Sequence, residues 1–99
     1  MRVITKRRLI EFYTKHPQAK GALEDWYEKA SKATWTDLSQ MKAEWSNSVD
    51  YIGNDRYVFN IRGNSFRLIV LVFFLPQKIF IRFVGTHAEY DKLKDATQV

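Results

Sequence analysis

His87 and Tyr90 stand three residues apart in the run Thr86-His87-Ala88-Glu89-Tyr90, and Arg67 and Arg82 lie in two apolar stretches just before it. A His, a Tyr and Arg residues of this kind suit a phosphate. Were that phosphate one in RNA cut without a metal, the chemistry would need a base for the 2′-hydroxyl proton, cations for the charged phosphorane and an acid for the leaving 5′-oxygen. His87 suits base or acid, because imidazole titrates near neutrality. Tyr90 suits its partner or a stacking platform. Arg67 and Arg82 suit phosphate clamps, with Arg62 and Lys92 steering the strand, and with Asn60 orienting Arg67 or hydrogen-bonding RNA. Each has a plainer reading: a first-turn helix residue for His87, a half-buried aromatic for Tyr90, a cross-strand pair for Arg67 and Asn60. Arg82, in an apolar strand, needs a partner or a ligand, and Glu89 or Asp91 would serve as the partner.

The elements that must position these residues are legible. Thr86 and Glu89 form a Thr-x-x-Glu capping box opening a short helix, with His87 and Tyr90 on one side of it. Tyr57–Arg62 alternates as a strand, Gly63-Asn64 is a hairpin turn, and Phe66–Leu75 is a second strand covered on both faces. That turn pairs Ile61 with Phe66, Asn60 with Arg67 and Phe59 with Leu68. One face then carries Tyr57, Phe59, Ile61, Phe66, Leu68 and Val70, all apolar; the other carries Asn60, Arg62, Ser65 and Arg67. A third strand, Ile79–Val84, follows a four-residue loop, Leu75–Lys78. This sets Leu71 against Arg82 and Arg67 against Thr86, and so brings Arg82 to the face of Arg67. Side chains of this kind beside a helix start suit a phosphate.

Upstream, Met1–Ile4 is a short edge strand. Thr5 is placed to cap a helix over Lys6–His16, with Leu9, Ile10, Tyr13 and His16 inward and Phe12 at the margin. Lys6-Arg7-Arg8 reads as a solvated helix end, and His16 as a C-terminal cap. Pro17 separates a second amphipathic helix, Gln18–Ala33, whose Trp26 and Tyr27 face the core. Thr36 or Asp37 starts a short helix through Ala43, with Trp35 and Trp45 covering the core on either side. Ser46–Arg56 has the turn chemistry of a loop. The fold class is α+β: helices on one face of a mainly antiparallel sheet, in a single domain over residues 1–99.

The formal net charge is +5 over 99 residues, which points to nucleic acid or an acidic protein partner. With no cysteine, thiolate metal sites and disulfides are excluded and a reducing compartment fits. Neither a signal peptide nor a membrane span is legible, so a cytoplasmic protein without a cofactor or metal is expected. No Gly-rich phosphate loop, helical zinc motif or Ser-nucleophile signature is present.

The carboxyl-terminal third resembles the HigB toxins of bacterial toxin–antitoxin modules, within the RelE superfamily of mRNA interferases. The resemblance is carried by Tyr57-Val58-Phe59-Asn60-Ile61, Gly63-Asn64, Phe66-Arg67-Leu68-Ile69, Val72-Phe73-Phe74, Ile81-Arg82-Phe83 and Thr86-His87-Ala88-Glu89-Tyr90-Asp91. The order and length of the amino-terminal elements agree with it. It implies a small endoribonuclease that cuts mRNA, typically on the ribosome, and is neutralised by a HigA-like helix-turn-helix antitoxin. The ParE branch of the superfamily instead inhibits DNA gyrase, and a plain RNA-binding module is a further alternative.

Overall fold

A computed structural model describes all of Met1–Val99. The chain runs β1 (Arg2–Ile4), α1 (Arg7–Lys15), α2 (Lys20–Lys32), α3 (Leu38–Trp45), β2 (Val49–Gly53), β3 (Arg56–Ile61), β4 (Phe66–Phe73), β5 (Lys78–Thr86) and α4 (His87–Asp91). Short 3₁₀ turns occupy Pro17–Ala19, Ser46–Ser48 and Ala96–Gln98. The five strands lie in the order β1-β5-β4-β3-β2. Every neighbouring pair is antiparallel except β1 and β5, which are parallel. The α+β class and the mainly antiparallel sheet are therefore as the sequence implies.

The β3–β4 hairpin holds the expected register, with Asn60 opposite Arg67 and Ile61 opposite Phe66. Gly63 takes a positive φ of 64°, and Ser65 N–H donates to Arg62 O to close the turn. All six residues of the expected apolar face, from Tyr57 to Val70, are buried. Phe59 lies at the centre of that face, fully buried. Three indoles surround it: Trp26 from α2 and Trp45 from α3 edge-on at 5.5 and 5.4 Å, and Trp35 stacked at 6.5 Å between ring centroids. Trp35 and Trp45 cover the core, as their positions flanking α3 suggest.

The structure departs from the sequence reading in four places outside the β4–β5 ladder. Residues expected to form a loop include β2, which pairs with β3 through Val49↔Phe59, Asp50↔Val58 and Tyr51↔Tyr57. Its β-branched and aromatic residues outweigh the turn formers on either side once β3 offers a free edge. Thr5 does not cap α1: it has a φ of 72°, and the N-cap is Lys6 without a side-chain bond. Ile10 is exposed, whereas Phe12 packs against the core, so the inward stripe is Leu9, Phe12, Tyr13 and His16. The strand expected to reach Leu75 ends at Phe73, and Leu75 is exposed. Asp37, one of two proposed caps for α3, does cap it, its carboxylate accepting from Gln40 N–H at 2.9 Å.

The Lys6-Arg7-Arg8 cluster is exposed, as its sequence suggests, although two of its side chains also make contacts. Lys6 Nζ sits 4.2 Å from the Tyr27 ring centroid, and Arg8 Nη1 donates to Arg82 O at 2.9 Å. β1 is only three residues long and pairs with the first part of β5 alone, Lys78 to Phe80. Beyond that point Arg8 takes over a carbonyl that no strand reaches.

Replacing Phe59 with Ala empties the space among three indoles. Large-to-small changes of this kind cost about 3–5 kcal/mol. The urea midpoint of Phe59→Ala is expected to fall accordingly with an unchanged slope. A midpoint equal to the wild type would show that the helix layer is held elsewhere.

Candidate active site

The site grows from the end of β5. Thr86 leaves the strand, its side chain accepts from Glu89 N–H at 3.1 Å, and Glu89 Oε1 accepts from Thr86 N–H at 2.8 Å. The capping box is complete, and it sets the start of α4 beside the β3–β4 turn. His87 N–H donates to Ser65 O, which ties the two together.

His87 and Tyr90 lie on α4, and Arg67 on β4 reaches Tyr90. The Arg67 guanidinium carbon is 5.7 Å from the Tyr90 ring centroid, a cation–π geometry that holds the fork in place. Arg67 Nη1 also donates to Asn64 O at 3.3 Å and to Phe66 O at 3.4 Å. Asn60 stands directly across from Arg67 on β3, but the Arg67 hydrogen bonds go to the turn rather than to Asn60. His87 Nδ1 is 2.9 Å from Asp91 Oδ2, one helical turn on. That contact orients the ring through Nδ1 and leaves Nε2 directed elsewhere. Asp91 therefore serves His87, not Arg82, and Glu89 belongs to the cap. The i, i+4 spacing of His87 and Asp91 on a helix is the signal that would have found this pair.

Arg62 is exposed at the β3–β4 turn with a φ of 53°, and Lys92 is exposed immediately after α4. Both border the group formed by His87, Tyr90 and Arg67. The structure thus brings together His87, Tyr90, Arg67 and Asn60, with Arg62 and Lys92 at the rim.

Arg82 is the exception. The loop between β4 and β5 has four residues, as expected, but it begins one residue earlier, so that Phe73 pairs with Lys78 and Leu71 with Phe80. The register then shifts between Ile69 and Val70, after which Arg67 opposes Gly85 and Phe66 opposes Thr86. The earlier loop moves every pair by two positions, which removes the expected Leu71–Arg82 pair, and the β-bulge, which leaves Arg82 unpaired, takes back one position, so that Arg67 meets Gly85 rather than Thr86. Its guanidinium turns towards the segment after α4, where Arg82 Nε donates to Val99 O at 3.2 Å.

A cleft of about 330 Å³ opens between α1 and β5, lined by Arg8, Phe12, His16, Arg82 and Glu89 among others. The His16 ring stacks on Phe12 at 4.4 Å within it. Neither His87 nor Arg67 lines this cleft, so it is separate from the α4 group.

Residues 19–93 match the family model described as HigB toxin, the RelE-like toxic component of a toxin–antitoxin system. The mRNA interferase toxin HigB of Escherichia coli K12 is 36% identical over 92 residues, covering 92% of this chain and 88% of that protein. The mRNA interferase HigB of Escherichia coli O6:H1 is 29% identical over 94 residues, covering 94% of this chain and 91% of that protein. Fold, site and similarity over nearly the full length agree: the chain belongs to the HigB toxin family, the toxic components of toxin–antitoxin systems.

Proposed function

We propose that this toxin is an mRNA interferase, an endoribonuclease that cuts mRNA on the translating ribosome in the cytoplasm and is held inactive by a HigA-like antitoxin. The reading is supported by the relatives named for mRNA cleavage and, most directly, by the His87–Asp91 pair standing beside Arg67 and Tyr90.

The chemistry needs no group beyond the chain and its substrate. His87 Nε2 removes the proton of the 2′-hydroxyl, with Asp91 on Nδ1 stabilising the imidazolium that forms. The 2′-oxygen bonds to the adjacent phosphorus, and the phosphorus–O5′ bond breaks. The products are a 2′,3′-cyclic phosphate and a 5′-hydroxyl, the leaving oxygen taking its proton from Tyr90. Arg67 donates to the non-bridging oxygens, where negative charge grows in the phosphorane. Asn60 contacts the strand beside Arg67, and Arg62 and Lys92 draw it in.

His87→Ala is expected to abolish growth arrest and cleavage while the melting temperature stays near the wild-type value, because Thr86 and Glu89 still cap α4. End-mapping of mRNA on programmed ribosomes checks this; full cleavage by the folded variant would remove His87 from the mechanism.

Arg67→Gln is expected to lower the single-turnover rate at saturating substrate by roughly 10²–10³, the usual loss for a donor that strengthens in the transition state. Arg67→Lys restores only part of it, because an ammonium lacks the planar fork. A rate recovered fully by more substrate would reduce Arg67 to a docking contact.

A further inference from the structure

We propose that the cleft between α1 and β5 is a subsite for one purine base of the RNA strand, beside the scissile phosphate, and that Glu11, Lys15 and His16 read that base. The proposal rests on the RNA-cleaving reading above and deepens it by naming what sets the sequence preference.

The floor of the cleft suits a flat ring. Phe12, His16, Phe83 and Val84 line it and are half-buried. His16 stacks on Phe12 at 4.4 Å and meets Phe66 edge-on at 6.3 Å between ring centroids. A space of about 330 Å³ is at the small end for ligand pockets and takes one base with its sugar. Aromatic side chains stack bases because every base has a π-face, and a purine offers the larger one.

The rim supplies the groups that choose the base. Arg8, Glu11, Lys15, Arg82 and Glu89 bring five charges to the cleft, and no two of them form an ion pair. Arg8 and Glu89 are in use already: Arg8 Nη1 donates to Arg82 O, and Glu89 closes the cap of α4. Glu11, Lys15 and the ring nitrogens of His16 have no hydrogen-bond partner within the chain. Glu11 and Lys15 stand one turn apart on α1, an acceptor beside a donor. Glu11 accepts from an amino group or ring N–H of the base, and Lys15 donates to the acceptor next to it. His16 donates to N7, which only purines carry.

The cleft borders the cutting site. Arg67 opposes Gly85 across the β4–β5 ladder. The Phe83 ring lies 2.6 Å from where a side chain at Gly85 would begin, and Glu89 Oε1 lies 3.2 Å from the same point; both residues also line the cleft. β1 ends opposite Phe80, so no strand closes the edge of β5 from Arg82 to Gly85. Neighbouring strands are about 4.8 Å apart. An RNA strand whose phosphate meets Arg67 therefore crosses β5 over the Phe83 ring and delivers the adjoining base to the cleft.

The test is single-turnover cleavage on programmed ribosomes. The mRNAs differ only in a base flanking the scissile bond, each of the two flanking positions being varied in turn: a purine, its 7-deaza analogue, or a pyrimidine. The proteins are the wild type, Glu11→Gln and His16→Phe. The wild type is expected to cut the purine substrate about tenfold faster than the pyrimidine one, the usual discrimination of a good base contact. The 7-deaza analogue, which lacks the N7 acceptor, loses most of that advantage. His16→Phe keeps a ring against Phe12 and is expected to cut the purine and its 7-deaza analogue at equal rates. Glu11→Gln, at an exposed position where the fold is indifferent, is expected to lower the purine preference with an unchanged melting temperature, and it decides the matter if His16→Phe does not fold. No purine preference in the wild type, a preference unaltered in the folded variants, or a 7-deaza substrate cut as fast as its parent by the wild type would overturn the subsite while leaving the cleavage reading intact. A wild type that cuts none of these mRNAs removes the cleavage reading and the subsite with it.

Discussion

The burial of Phe59 among three indoles is the constraint on which the rest of the structure depends. Trp26, Trp35 and Trp45 come from α2, from the approach to α3 and from the end of α3. Each brings a large apolar surface to one residue of a central strand, so the helix layer and the sheet are held at the same point. In a chain of 99 residues, whose core is necessarily small, this concentration matters. It also commits the helices α1 to α3 to one face of the sheet. The other face is polar only towards its Asn60–Arg67 end, since Val58 and Ile69 on the same face are buried.

A second constraint is local to β5. The bulge between Ile69 and Val70 reverses which β5 residues share the face of Arg67, so that Phe83 and Gly85 lie there together. A side chain at Gly85 would begin 2.6 Å from the Phe83 ring and 3.2 Å from Glu89 Oε1. Glycine is favoured by this approach rather than by its backbone angle, since a side chain there would have to displace the tip of the Phe83 ring beside the cap of α4. The bulge, Gly85 and the capping box thus form one unit: the first re-aims the strand, the second makes room, and the third starts the helix that presents His87.

This accounts for what the sequence did and did not disclose. The hairpin of β3 and β4 was legible because apolar alternation and Gly63-Asn64 agree on one register. The α4 cap was legible because Thr86 and Glu89 stand at the spacing the two hydrogen bonds need. From these two devices His87, Tyr90, Arg67 and Asn60 could be placed near one another. The bulge had no signal of its own: it occurs inside an apolar run, where inserting Arg82 leaves the composition of the strand unchanged. The face of Arg82 was therefore right, but its partners were not. β2 was hidden because Val49–Gly53 is short and lies between turn formers, and its pairing depends on the free edge of β3, a non-local fact.

Net charge alone misplaces the electrostatics of this toxin. The densest basic run in the sequence, Lys6-Arg7-Arg8, is partly used in holding the fold: Lys6 covers Tyr27, and Arg8 closes the edge of β5 that β1 leaves open. Lys29 and Lys32 form i, i+4 pairs with Asp25 and Glu28 on the outer face of α2, so their charges are largely offset where they stand. Arg67 instead lies on the sheet face opposite the helix layer, Arg62 and Lys92 are exposed, and Arg82 lines the cleft against α1; none of these four has an acidic side-chain partner. Exposed charges more than about 10 Å apart are screened from one another at moderate salt. The attraction of a polyanion is then governed by this local excess near α4 rather than by the overall +5. The same fold that uses its amino-terminal cations for packing keeps its carboxyl-terminal ones available beside the histidine.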